Sequence, residues 1–305
     1  MATRFELVLY GPHSPALRAA GEEALDEIQR LDAQLSLYEP TSELAHLNAR
    51  AAREPVRVEP GLFRLLARAR QLSEETGGLF DLTIAPLMRC WGLLGGKGKV
   101  PEPAALEEAR AQVGMHLVEL DPERFTVRFA RPGVMLDLGA IGKGYAIERA
   151  GDILRELGVT AALLHGGTST VRAIGTPPDA PAWQVAIAGP PGAASQPLAR
   201  VSLCDESLSV SAVWGKSFQA HGTTYGHIMD PRTGHPAAGA VLAAVVLPSA
   251  TETDAFSTAL LTAGIAGHEK LAGLRRGLRS LVAEPAADGT VRIASRGLAA
   301  RAEAI

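Results

Sequence analysis

Apolar and polar positions along this chain follow two periods. Phe5 to Tyr10 alternates as a strand, and Ser14-Pro15 then opens a helix to about Ser36 with apolar residues at helical spacing. Thr41 or Ser42 caps a shorter helix through Asn48, residues 56–58 form a strand fragment, and Pro60 to about Thr76 is an amphipathic helix ended by Gly77-Gly78. An irregular apolar segment spans 79–96. Residues 116–120 and 125–130 alternate as a hairpin around Asp121-Pro122, and 134–136 lead as a strand into a glycine-rich turn. The helix that follows runs from Ile141 to near Gly158. Strand-like runs recur at 161–165, 183–188, 200–203, 207–211 and 241–247, helices at 251–263 and from His268 to about Leu274, and strands at 280–283 and 291–294. Helices and strands are mixed rather than strictly alternating, which predicts an α+β fold with mixed or antiparallel sheets.

Length and charge narrow the picture. A chain of 305 residues is at the upper edge of what one core serves, so residues 1–305 are expected to form a single domain of two closely joined lobes. Net charge is −3 and no Lys/Arg run occurs, which argues against a nucleic-acid partner. The longest apolar run, 237–247, is shorter than the roughly 18 residues of a membrane span and reads as a buried strand. Charge stands at Arg4 and Glu6, where a signal peptide has its apolar core, and no lipid-attachment cysteine follows. The chain as it stands is therefore expected to be cytoplasmic, unless an export segment has been removed. Cys90 and Cys204 are too few for a disulfide framework or zinc cluster. A homodimer is compatible with the sequence, which does not itself specify the oligomeric state.

Three segments concentrate chemistry. In Met135-Leu136-Asp137-Leu138-Gly139-Ala140-Ile141-Gly142-Lys143-Gly144-Tyr145, the glycines allow backbone N–H groups to approach a ligand, and the helix N-terminus adds a positive dipole end. Gly144 stands where a Walker loop needs Ser or Thr, and the glycine spacing is not the dinucleotide fingerprint, so an anion site and a plain turn both stay open. In the second segment, Asp254, Ser257 and Thr258 are spaced i, i+3 and i+4, which puts three oxygen-bearing side chains on one helix face, suited to a hard cation. Thr251 with Asp254 equally resembles a capping box. The third segment, 221–236, concentrates His221, His227 and His235 in a strand that ends at the turn Asp230-Pro231-Arg232-Thr233-Gly234. Tyr38 and Phe80 suit either a core or stacking on a planar ligand.

Taken in order, five segments resemble the FAD:protein FMN transferase family, the ApbE-type flavin transferases. They are Ser36-Leu37-Tyr38 with Ser42-Glu43-Leu44 and Asn48; Gly78-Leu79-Phe80-Asp81-Leu82-Thr83 with Pro86-Leu87 and Trp91-Gly92; Asp137 to Ala146; Tyr225 to Gly234; and Asp254 to Leu260. The resemblance runs from Met1 to about Gly264. It implies two lobes that form a flavin cleft, and Mg²⁺-dependent cleavage of the FAD diphosphate. The FMN half would pass to a Ser or Thr hydroxyl of a partner flavoprotein, and AMP would leave. It also implies a metal site of Asp254, Ser257 and Thr258, with Asp254 and Thr258 as side-chain ligands, and a backbone ligand in the Ala140 carbonyl; Mn²⁺ is the alternative ion. Met1, Tyr38, Leu79, Phe80, Asp81, Asp137, Lys143 and Ile228 align with FAD-contacting positions, and His227 with a group for acid–base assistance. The family commonly shows Asn-x-Gly-Gly-Asp where this chain has Leu164-His165-Gly166-Gly167-Thr168. It shows Ser-Gly-Asp around the present 209–213, so two acids are replaced. An FAD pyrophosphatase and a non-catalytic FAD-binding protein are the alternative expectations.

Overall fold

The computed structural model describes residues 3–12, 14–189, 197–214, 217–286 and 290–300. In chain order its elements are β1 (Phe5–Tyr10), α1 (Pro15–Leu35), α2 (Glu43–Arg50), β2 (Val56–Arg57), α3 (Pro60–Glu75), α4 (Ala85–Cys90) and α5 (Pro103–Arg110). A 3-10 turn at Met115–Leu117 leads to β3 (Val118–Asp121), β4 (Thr126–Phe129), α6 (Gly142–Glu156), β5 (Ala161–Gly166) and β6 (Thr170–Ile174). The rest are β7 (Trp183–Ile187), β8 (Ala199–Leu203), β9 (Ser207–Ala212), β10 (Ser217–Ala220), β11 (Thr223–Gly226), β12 (Leu242–Leu247), α7 (Ala250–Ala272), β13 (Arg279–Pro285) and β14 (Val291–Arg296). The α+β expectation holds, with antiparallel pairing throughout the named strand pairs.

The chain divides into two compact units. The first comprises 1–32, 141–212 and 239–305, the second 33–140 and 213–238. The first is built on a seven-stranded sheet of order β1-β5-β6-β9-β12-β13-β14. Edge strand β1 alternates between half-buried and exposed positions, as one covered face requires, whereas Leu242-Ala-Ala-Val-Val-Leu in β12 is buried at every position and therefore needs cover on both faces. Helix α7 packs on β9, β12 and β13, and α6 packs on β5, β6 and α7. In the second unit, Leu44, Leu62, Leu66, Phe80, Leu87, Trp91 and Phe129 are fully buried, and the small sheet β2-β4-β3 and hairpin β10-β11 accompany α2 to α5. No helix is long and apolar enough to cross a membrane among the described residues.

Several elements differ from the sequence pattern. Residues 134–138 are not a strand: the Asn48 amide donates to Leu136 O at 2.9 Å and accepts from Leu136 N at 2.8 Å, so a side chain takes the place of a neighbouring strand. The irregular segment 79–96 contains α4, at six residues too short to show a helical period. Helix α5 was missed because only Ala109 is buried, which leaves no apolar stripe. Strand β6 carries no clear apolar pattern because Arg172 interrupts its apolar run, and β10 and β11 carry none because they are four-residue, largely polar strands. His221 and His227 flank β11 rather than lying in it, with His221 in a left-handed turn at φ 51°.

The expected break between the helices at 251–263 and 268–274 is a kink inside α7. Gly264 has φ 64° there, and the Glu284 carboxylate accepts the freed Ile265 N–H at 2.7 Å. Beyond the kink, His268 is buried with Nε2 2.9 Å from Ser280 Oγ and Nδ1 3.5 Å from the Glu269 carboxylate. Burial pushes its pKa below the usual 6.5, against the opposing pull of Glu269. The neutral ring is thus favoured in the folded chain, while the unfolded chain protonates near 6.5, so this stability is present above pH 6.5 and is lost as pH falls through the folded value. We expect the urea midpoint to fall between pH 7 and pH 5. His268→Gln should flatten that fall in part, because His165, also depressed by burial, contributes with the same sign. An unchanged pH slope in the variant would refute the assignment to His268.

Candidate functional site

Helices α6 and α7 meet at their N-termini. Ile141 at the N-cap of α6 supplies no side-chain hydrogen bond, and the Gly144 N–H donates instead to Asp254 Oδ2 of α7 at 2.9 Å. A Cβ at Gly144 would stand 2.2 Å from Ala250 O and 2.8 Å from Asp254 Cβ, so only glycine permits this approach. In return, Glu148 of α6 accepts from Thr251 N at 2.7 Å and from Ser249 Oγ at 2.8 Å. The N-cap of α7 is Ser249, which accepts from Glu252 N at 3.1 Å. The Thr251–Asp254 capping box is therefore not formed, and Asp254 points to the other helix.

Asp254 is 4% exposed. Beyond the Gly144 bond, its Oδ1 lies 3.4 Å from Thr170 Oγ1 and 3.9 Å from Lys143 Nζ, both longer than a charge-assisted bond. Ser257 and Thr258 donate to the Asp254 carbonyl at 3.0 and 3.2 Å, and Ser211 Oγ lies 2.9 Å from Ser257 Oγ and 3.3 Å from Thr258 Oγ1. Ser257 is fully buried with its hydroxyl turned inward, whereas Thr258 is half-buried. This donor set is all oxygen with a single carboxylate. Among the described residues no group of three or more His, Cys, Asp or Glu is placed to hold a metal. The set fits a hard cation that completes its shell with water and phosphate oxygens, and does not fit zinc or a softer ion.

The second unit carries most of the other expected positions. Asp137 Oδ1 accepts from Gly139 N at 2.8 Å, which shapes the turn that carries Ala140. Tyr38 is 67% exposed, and its phenol is pushed above its usual range by partial desolvation and by the Asp137 carboxylate, so the two share one patch. Phe80 is wholly buried and Leu79 nearly so; both side chains are core, which leaves only their backbone for a ligand. Asp81 is buried and accepts from Thr83 N at 2.7 Å, Thr83 Oγ1 at 2.5 Å, Met115 N at 2.9 Å and Ser73 Oγ at 3.2 Å, so it fastens the loop after α3 to the 3-10 turn. His227 and Ile228 are half-buried after β11, and Ile228 O accepts from Ala237 N at 2.7 Å. Asp230 holds Arg232 through a forked ion pair at 2.8 and 3.0 Å, and Trp91 Nε1 donates to Gly234 O at 2.8 Å. Met1 lies outside the described residues.

A model of the ApbE family matches residues 1–282. This chain belongs to the ApbE family. An FAD:protein FMN transferase of Treponema pallidum is 33% identical over 273 residues, covering 85% of this chain and 75% of that protein. One from Haemophilus influenzae is 28% identical over 260 residues, covering 82% and 75%. Among solved structures, the ApbE protein of Thermotoga maritima matches with a TM-score of 0.87 at 26% identity, over 97% of this chain and 94% of that one. The flavinyl transferase ApbE of Pseudomonas stutzeri, in its apo form, matches at 0.83 and 28%, over 96% and 91%.

Sequence reasoning overlooked the hydroxyls packed around this candidate site. Thr170, Ser209 and Ser211 come from strands far away in sequence, and the one available signal was the Ser-x-Ser-x-Ser alternation of 207–211. Gly144→Ala is expected to lower unfolding stability by about 1–3 kcal/mol, because the added methyl forces α6 and α7 apart. Chemical denaturation measures this, and a loss well under 1 kcal/mol would contradict the close crossing.

Proposed function

We propose that this chain transfers the FMN moiety of FAD to a Ser or Thr hydroxyl of a partner flavoprotein in a Mg²⁺-dependent reaction that releases AMP. The supporting observation is the geometry of Asp254: a buried carboxylate fixed through one oxygen by the Gly144 N–H at the N-terminus of α6, with Thr258 one turn along α7 and bonded to the Asp254 carbonyl. The names of its ApbE relatives support the same chemistry.

In this reading Asp254 and Thr258 would hold Mg²⁺ through side-chain oxygens, with the Ala140 carbonyl as a backbone ligand. Ser257 remains behind them, its hydroxyl committed to the helix. The ion supplies charge neutralisation on the diphosphate of FAD. Lys143 and the first N–H groups of α6 bind the diphosphate oxygens, because cationic and dipolar groups there oppose charge that grows as the leaving group departs. Tyr38, Asp137, Ile228 and the backbone at Leu79-Phe80-Asp81 orient the flavin half. The bond between the FMN phosphorus and the bridging oxygen breaks, AMP carries that oxygen away, and the acceptor hydroxyl oxygen forms the new bond to phosphorus. His227 takes the proton that the acceptor hydroxyl gives up.

Incubation with FAD, Mg²⁺ and a flavoprotein domain bearing an acceptor Thr should add the mass of one FMN moiety per domain and release an equal amount of AMP. Asp254→Ala should lower the rate by more than about 100-fold. AMP formed without any acceptor would point to a pyrophosphatase instead. FAD retained with no AMP formed would point to a binding protein.

A further inference from the structure

Strand β9 presents hydroxyls at alternate positions, Ser207, Ser209 and Ser211, and alternate residues share one face. Two residues of strand advance about 6.6–6.8 Å. Four residues of helix advance about 6.0 Å, so a strand laid beside a helix meets it at nearly matching intervals. The contacts of Ser209 and Ser211 follow this match, and Ser207 meets the residue just ahead of the Ser249 cap. Ser207 Oγ donates to Pro248 O at 3.2 Å, Ser209 Oγ lies 2.8 Å from Thr253 Oγ1, and Ser211 Oγ lies 2.9 Å from Ser257 Oγ, four residues further along α7.

The direction of each bond follows from the protons available. Thr253 gives its proton to Ala250 O at 2.9 Å, so Ser209 is the donor in its pair with Thr253. Ser257 and Thr258 both give theirs to Asp254 O, so Ser211 is the donor to their side of α7. A hydroxyl has one proton and two lone pairs. With its proton directed back into the helix, Thr258 Oγ1 keeps lone-pair capacity for another ligand. Thr170, paired in register with Ser209 and fully buried, directs its hydroxyl at Asp254 Oδ1.

We propose that Ser211 is a positioning residue for cation binding: its hydroxyl bond from β9 sets the rotation of α7 and the rotamer of Thr258, so that Thr258 Oγ1 presents a lone pair to the ion alongside Asp254. Thr170 supports the carboxylate in the same way. This rests on the reading of Asp254 and Thr258 as ligands. A ligand whose orientation is fixed by a neighbouring hydrogen bond gives up less freedom on binding the ion, so removal of that bond weakens metal affinity.

The test is Mn²⁺ titration of the full-length protein without FAD, followed by the magnetic resonance signal of the free ion. Ser211→Ala should raise the Mn²⁺ dissociation constant by about 10–100-fold over the unchanged chain. The metal-free unfolding midpoint of the variant should fall much less than its affinity, and in turnover the loss should fall on the Mg²⁺ half-saturation rather than on kcat at saturating Mg²⁺. Ser211→Cys, which keeps the shape with a weaker donor, should lie between the two, and it carries the same test if the alanine variant does not fold. Equal Mn²⁺ affinity in the variants and the unchanged chain would overturn the role of Ser211 and leave the transferase reading intact. No Mn²⁺ binding by the unchanged chain would overturn both.

Discussion

Two helix N-termini cap each other in this protein, and the candidate site depends on that reciprocity. Asp254 of α7 satisfies the Gly144 N–H of α6, while Glu148 of α6 satisfies the Thr251 N–H and the Ser249 hydroxyl of α7. Each carboxylate thus lies at the positive end of the other helix, where negative charge is stabilised. The exchange requires the backbones to come close, and Gly144 is the residue that allows it. A buried carboxylate with one oxygen fixed in this way has its plane set before any ligand arrives. Its second oxygen is approached at longer range by Thr170 and Lys143.

Much of the candidate site was legible in the sequence because its residues lie close together in the chain. The glycine turn, Lys143, Asp254 and Thr258 lie in two short segments, and the oxygen-bearing face of α7 follows from the spacing of Asp254, Ser257 and Thr258 alone. The choice between a capping box and a site could not be read in this way. It turned on whether α7 begins at Ser249 or two residues later, and the Ser249 cap with the Glu148 carboxylate rules out the box. Glu148 lies 101 residues from Ser249 in the chain, so no local pattern marks it.

The errors in reading the fold have the same origin. Asn48 holds Leu136 by both backbone groups across 88 residues, so a stretch with strand-like composition needs no strand beside it. Arg172 stands in a buried strand because the Asp152 carboxylate of α6 lies 3.2 Å from its guanidinium, a compensation that an apolar pattern does not reveal. Phe80 and Tyr38 were ambiguous from composition, since an aromatic ring suits a core and a ligand equally. Only burial separates them: Phe80 is wholly enclosed, and Tyr38 stands largely in solvent.

The hydroxyl seam between β9 and α7 explains why that interface is not simply apolar. Apolar burial is non-directional, and a helix packed on a sheet through Ala, Leu and Phe alone could turn about its axis at little cost. Asp254 and Thr258 share one face of α7, so a rotation of the helix about its axis would turn both away together. Hydrogen bonds from Ser209 and Ser211 are directional and tie α7 at two successive turns, while Ser207 fixes Pro248 just ahead of its Ser249 cap. Each adds only about 1 kcal/mol net, and each leaves a costly unpaired hydroxyl if the helix turns. The seam therefore contributes more to which rotation α7 adopts than to whether it packs. That is the requirement of the proposed site, whose two side-chain oxygen donors would sit one turn apart on a single helix.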